Sequence, residues 1–338
     1  MTGFLSYIPY PSWIRPEIIP GLPLRWYGLM YLVAFTITYL LFNYQVKQRD
    51  LDIDKDTVLS FFFWGIVGLL VGARLFATLF FDASGRYLLK PWLIFWPFGE
   101  NMQFTGFTGM NYYGGLVGAL AGCIIYTRVK KLSILDWGDM LVAGIPLGYT
   151  FGRLGNFING ELYGRITTAP WGMIFPHARK FPAKEQWVRD FAEKCGFAID
   201  ENAVLVNLPR HPTQIYEAFL EGILLWLVIW FGFRKRKPFN GFLLGVYIIG
   251  YGLVRFLIDY FRVPLRDDFA IKLSSVDNPP YLLVTPWNFL ASQIFSFLMI
   301  LGGVLFLLVL KRYWDLKRES HDKPRVNIRK LRKRIDRD

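Results

Sequence analysis

Residues 152–164 read GRLGNFINGELYG, a charged and amide-rich patch inside an otherwise apolar run. Arg153 and Asn156 are three residues apart, one face of a helix, and Asn159 and Glu161 follow where glycines loosen it. A guanidinium beside amide donors forms a fork suited to phosphate or carboxylate. A second cluster, YGLVRFLIDYFR, sets Tyr251, Arg255 and Asp259 at four-residue intervals with Arg262 three later, so one helix face carries a polar stripe. Arg255 and Asp259 can neutralise each other, but Tyr251 and Arg262 exceed that need. Glu217 and Glu221 in HPTQIYEAFLEG form an acidic stripe able to face Arg74, Arg153 or Arg255, either as counter-ions of a bundle or as part of the chemistry. Two arginines converging near a membrane surface suit the phosphate of an anionic lipid whose tails stay among apolar helices.

The elements that must position these residues are hydrophobic. The chain of 338 residues is 53% hydrophobic and 18% aromatic, with a mean hydropathy of +0.29, which argues against a soluble domain. Seven stretches approach the 20 or so residues a spanning helix needs: 24–44, 57–81, 111–127, 136–158, 212–233, 241–261 and 286–310. The third is short, and Pro146 with several glycines breaks the fourth. Arg74, Arg153 and Arg255 lie inside or at the ends of spans, where each costs about 2.5–3.5 kcal/mol at a helix centre. For Arg74 the alternatives are snorkelling or a packing ion pair on one side, function on the other.

Lys47, Arg49 and Lys55, then Arg128, Lys130 and Lys131, then the RKRK run at 234–237, and finally residues 311–338 fall on one side of a seven-span chain. The positive-inside pattern puts that side in the cytoplasm and the N-terminus outside. The expectation is an all-α integral membrane protein with about seven transmembrane helices: residues 1–310 form the membrane domain and 311–338 a basic cytoplasmic tail. The tail reads as a surface anchor on anionic lipid, and nucleic acid is not an expected partner of the +13 chain. No cleavable signal peptide is expected, since the first twenty residues are proline-rich.

Residues 160–211 read as an extramembrane insertion on the outside face, with PAKEQWVRDFAEKCGF as an amphipathic surface helix. Together with loops 82–110 and 262–285 it could roof a site at the outer interface. Gly114, Gly118 and Gly122, with Gly68 and Gly72, have the spacing of close helix packing. Cys123 and Cys195 have neither metal-ligand spacing nor a common depth, so no metal site is expected and any thiol chemistry uses a substrate thiol.

The GRLGNFINGELYG stretch resembles the signature of the bacterial prolipoprotein diacylglyceryl transferase family. RWYGLMYL at 25–32, GAR at 72–74, GGLVG at 114–118, PRHPTQIYE at 209–217 and GYGLVRFLIDYFR at 250–262 match it in order, so the resemblance covers about residues 21–310. It implies an enzyme of the bacterial inner membrane. Such an enzyme moves a diacylglyceryl group from phosphatidylglycerol to the lipobox cysteine of a preprolipoprotein, forming a thioether and releasing glycerol phosphate, without cofactor. Carried over by motif, Arg153 and Arg255 are catalytic, and Tyr27, Arg153, Asn156, Glu161, Gly164 and Tyr251 bind substrate. Arg74, His211, Glu217, Asp259 and Arg262 support them.

Two departures stand out. Many family members have a histidine just before the paired glycines of the third span, proposed as the base for the thiol; here Tyr113 stands there as the third catalytic candidate, but a phenol of pKa near 10 is a poor base at neutral pH, so the alternatives are that it positions substrate or that the base role is dispensable. Asp259 replaces a common glutamate, keeping the charge with shorter reach. A lipid or anion transporter is the competing class on residue chemistry. No serine nucleophile motif, HExxH site or paired aspartates marks an intramembrane protease.

Overall fold

Asp54, Asn111 and Ser133 each precede an apolar run, and each accepts a bond from an amide that a helix start leaves unpaired. The donors are the amides of Thr57 at 2.5 Å, Gly114 at 3.1 Å and Asp136 at 3.4 Å. The computed structural model describes residues 7–19, 21, 24–82, 85–98, 102–103, 109–197, 199–200, 202–264, 269–275, 281–283 and 285–322. Its helices are α1 Trp26–Gln48, α2 Lys55–Phe80, α3 Tyr112–Val129, α4 Ile134–Val142 and α5 Ile145–Ile158, followed by α6 Gln186–Lys194, α7 Thr213–Arg236, α8 Phe242–Ile258 and α9 Ala291–Asp322. Four of them are long and apolar enough to cross a membrane, α1, α2, α7 and α9 up to Arg318. Leucines and phenylalanines such as Leu40, Phe63, Leu70, Phe231 and Leu305 are exposed along them, as expected where the solvent is lipid.

The expected fourth span, 136–158, is two helices. Backbone bonds from α4 end at Ala143 and Gly144, and Pro146, lacking an N–H, sits where the first turn of α5 needs no donor. The basic run after the seventh span begins as a helical continuation of α9 to Asp322. Residues 323–338 of the expected tail lie outside the described residues.

The chain divides into two units, residues 28–152 and residues 1–27 with 153–338. In the first, Phe42, Val46, Val58, Phe61, Tyr126, Trp137 and Met140 form a buried cluster joining α1 to α4. There α2 and α3 touch backbone to backbone. A Cβ added at Gly68, Gly72, Gly118 or Gly122 would overlap a carbonyl of the facing helix, so the glycine stripe is a packing surface.

In the second unit, the insertion has its own core of Ile166, Phe181, Ala183, Val188, Phe191, Ala192, Cys195, Val206 and Leu208. The amphipathic segment forms α6 and contributes Val188, Phe191 and Ala192 to that core, while Phe181–Pro182 pairs antiparallel with Leu205–Val206. Tyr281 and Leu282, from the loop after α8, pack against it. Cys195 is buried and Cys123 half-buried, and both are free thiols. Glycines of α8 and α9 bring those helices together, Gly245 against Leu307 and Gly303 against Ile249. Beyond Ala218, α7 widens into π-type turns, a form of helix found often at functional sites.

Candidate active site

The site grows from the end of α5. Tyr10 donates its hydroxyl to the carbonyls of Phe157 and Ile158 at 2.8 and 3.0 Å, satisfying groups that a helix end leaves open. The chain then reverses through two left-handed residues, Gly160 (φ +66°) and Leu162 (φ +58°). Thr213 Oγ1 donates to the Leu162 carbonyl at 3.0 Å and Gln214 Nε2 to that of Glu161 at 2.6 Å, pinning the reversal on the start of α7. Gly164 follows, its amide 2.8 Å from the His211 carbonyl, and Arg165 bonds Phe261 O at 2.7 Å. A Cβ at Gly164 would run into the Phe261 carbonyl, Thr213 Cγ2 and His211 Cβ. Gly164→Ala is therefore expected to destabilise by about 2–3 kcal/mol through overpacking. Thermal unfolding in detergent measures it, and an unchanged midpoint would refute the close-approach role.

These crossings bring three helices' charges to one carboxylate. Glu217, fully buried, faces Arg153 Nε through Oε2 at 3.0 Å and Arg255 Nη1 through Oε1 at 3.0 Å, and Oε1 also meets Arg262 Nη1. Arg255 continues to Asp259 at 3.2 Å and lies 3.8 Å from Glu221. Arg153 Nη1 donates to Asn156 Oδ1 at 3.4 Å, and Asn156 Nδ2 to Glu161 Oε1 at 3.0 Å, where Asn159 Nδ2 also donates at 3.2 Å. The expected polar stripes thus meet: Arg153, Asn156, Glu161, Glu217, Arg255, Asp259 and Arg262 form one connected network. Chemically, Glu217 spaces three guanidiniums and keeps their charge tolerable in a buried setting.

His211 lies beside this network. Its Nδ1 is 3.1 Å from the Tyr216 hydroxyl, which takes the Trp171 indole N–H at 2.7 Å. Burial pushes the His211 pKa down to about 4. The unfolded chain, with an ordinary histidine near 6.5, binds the extra proton between those values, so stability is full above about pH 6.5 and falls toward pH 4. The melting temperature in detergent is expected to drop across that window, and His211→Gln to flatten part of the drop. An equal slope in the variant would assign it to other groups.

The remaining expected residues are placed separately. Arg74 is buried in α2 and donates to the carbonyls of Ile94 (2.5 Å) and Gly109 (3.2 Å) and toward Tyr87 Oη (3.4 Å), a tie that holds the following loop. Tyr113 is 64% exposed on the first turn of α3, edge-on to Tyr112. Tyr27 lies on the first turn of α1, and Tyr251 one turn before Arg255, its ring 6.0 Å from Tyr247.

Three residues were not singled out by the sequence reading. Arg165 is buried, bonded to Leu282 O at 3.3 Å and close enough to Asp259 to feel its charge; burial holds its pKa at about 10, so it stays cationic at neutral pH. Arg210 is fully buried among the rings of Tyr163, Tyr281 and Phe181 at 4.9, 5.3 and 5.5 Å, and donates to the carbonyls of Arg179 and Gly164. Gln214 is the third. Arg210 and Gln214 both fall in PRHPTQIYE, where two further polar residues at the head of an apolar span were the available signal.

Comparison with known proteins adds the family. The model of the family described as prolipoprotein diacylglyceryl transferase matches residues 16–309. A Treponema pallidum protein is 49% identical over 333 residues, covering 94% of this chain and 99% of the relative. One from Borreliella burgdorferi (strain ZS7) is 38% identical, covering 92% and 96%, and one from Chlorobaculum tepidum 39% identical, covering 87% and 89%. All three are named phosphatidylglycerol–prolipoprotein diacylglyceryl transferase.

Proposed function

Because this chain belongs to the prolipoprotein diacylglyceryl transferase family, we infer that it moves the diacylglyceryl group of phosphatidylglycerol onto a prolipoprotein. The acceptor in this reading is the lipobox cysteine thiol, the new bond a thioether and the by-product glycerol phosphate. The observation that carries the assignment of the site is Glu217 bridging Arg153, Arg255 and Arg262 next to the Asn156–Glu161 pair.

The chemistry asks for an oriented lipid, a stabilised phosphate and a deprotonated sulfur. Arg153 and Arg255 hold the phosphodiester and neutralise the charge that grows as glycerol phosphate departs. A guanidinium close to the sulfur raises the small thiolate fraction of a thiol with pKa near 8.5. Asn156 orients Arg153 and Glu161, Gly164 permits the crossing behind them, and Tyr27 and Tyr251 line the lipid's path. Tyr113 positions substrate in place of the histidine common in relatives, and Arg74, His211, Asp259 and Arg262 brace the framework.

The protein sits in the bacterial inner membrane as one membrane domain over 1–310, with seven spans, its N-terminus and the 160–211 insertion outside and the 311–338 tail in the cytoplasm. The basic segments on one side of that topology support it. The test is purified protein in vesicles containing phosphatidylglycerol, given a lipobox peptide. Glycerol phosphate release with a matching peptide mass gain, both lost with a Cys→Ser peptide, is the expected result. Lipid movement between leaflets without bond cleavage would replace the transferase by a transporter.

A further inference from the structure

Transfer of an alkyl group to a thiol frees one proton, and the described residues around Arg153 leave few places to put it. Glu217 is fully buried with a guanidinium facing each oxygen, and Asp259 and Glu221 are buried beside Arg255. His211 has its Nδ1 engaged with the Tyr216 hydroxyl at 3.1 Å.

Glu161 is built differently. The residue is exposed, and among the described residues both amide donors go to Oε1, Asn156 at 3.0 Å and Asn159 at 3.2 Å, leaving Oε2 open. The backbone beneath it is over-determined: Glu161 N bonds Asn156 O at 3.1 Å, and Gln214 donates to the Glu161 carbonyl. Leu162 holds a left-handed conformation that a leucine seldom adopts, and such conformations gather at functional sites because surrounding contacts enforce them. A carboxylate locked on one oxygen and open on the other, in a loop held against its local preference, has the form of a positioned proton acceptor.

Resting on the transfer reading above, we propose that Glu161 is the catalytic base of this chain, its Oε2 accepting the proton of the lipobox thiol. The S–H electron pair becomes the new S–C bond to the glyceryl carbon. The C–O bond to phosphate breaks, its pair stays on the departing phosphate oxygen, and the proton rests on Glu161 until water removes it. One phosphodiester charge and one carboxylate charge become a glycerol phosphate dianion and a neutral acid, so charge balances. The charged groups facing Glu161 are Arg153, through Asn156 on α5, and Glu217 on α7 behind that arginine. The arginine that holds the phosphate and the base that receives the proton are thereby joined through one amide.

Glu161→Gln keeps both acceptor and shape but cannot take a proton. It is expected to lower kcat at pH 7 by about a hundredfold or more, with the KM for phosphatidylglycerol little changed. Its rate should then climb about tenfold per pH unit up to the peptide thiol's pKa near 8.5, while the wild-type rate stays nearly flat from pH 6 to 8. Glu161→Asp should recover part of the rate and the flat profile. A Gln variant as fast as wild type, or slow with the wild-type profile, would overturn the proposal and leave Glu161 a positioning residue. The steep profile in Tyr113→Phe instead would move the role to the phenol. If wild type itself releases no glycerol phosphate while its melting curve shows it folded, the transfer reading fails, and the base with it.

Discussion

Arg153→Ala is expected to abolish measurable transfer, by about a thousandfold or more, while the protein still accumulates in the membrane with a normal melting curve. Both halves follow from the geometry. Its Nε faces Glu217 and its Nη1 orients Asn156, which in turn holds Glu161, so one side chain links the anion-facing group to the amide pair. Removing a single preorganised donor to a developing anion costs about a hundred- to a thousandfold, and here the orientation of Asn156 goes too. The fold survives because Glu217 keeps Arg255 and Arg262 as counter-ions. Arg153→Lys should fare little better, since an ammonium cannot reach a carboxylate and an amide from two edges at once. Glycerol phosphate release at matched membrane yield decides it, and substantial activity in the alanine variant would remove Arg153 from the chemistry.

Glu217→Ala should fail in the opposite manner, by loss of the folded protein. Its carboxylate is the shared counter-ion of three guanidiniums and has no exposed surface. Deleting one partner of a buried ion pair costs about 3–5 kcal/mol, a large part of the 5–15 kcal/mol that holds a typical domain together. The expected readout is a sharply lower unfolding midpoint in detergent with reduced membrane yield. Glu217→Gln, which keeps the shape but not the charge, should be intermediate. Combining Arg153→Ala with Glu217→Gln should cost less than the two changes summed, because each removes part of the same interaction. A Glu217→Ala protein that melts like wild type would mean the arginines are neutralised elsewhere.

The two stripes were legible in the sequence because a charge inside an apolar run has no cheap structural excuse, and four-residue spacing places charges on one helix face. Which carboxylate meets which arginine was not legible. That pairing depends on residues 164–167, 209–211 and 261–262 crossing, contacts made between segments far apart in the chain. For the same reason Arg165 went unnoticed: nothing local distinguishes an arginine that will be enclosed by a distant Leu282 from one that stays in solvent. Arg74 shows the converse. Its position suggested a charge partner, and it found backbone carbonyls of the loop beyond its own helix. The stretches 57–81, 111–127 and 241–261 end within about three residues of α2, α3 and α8, while the fourth stretch divided at Gly144 and Pro146, where the missing N–H of proline outweighed continuous hydrophobicity.

Arg210 separates the insertion from the network below it in how each meets an acidic environment. The cation is held by three aromatic rings and two backbone carbonyls, and none of these gains a proton as pH falls through the carboxylate range. The arginine network around Glu217 is held by carboxylates instead. Acid strong enough to protonate carboxylates therefore reaches the counter-ions of the network and leaves the groups that hold Arg210 unchanged.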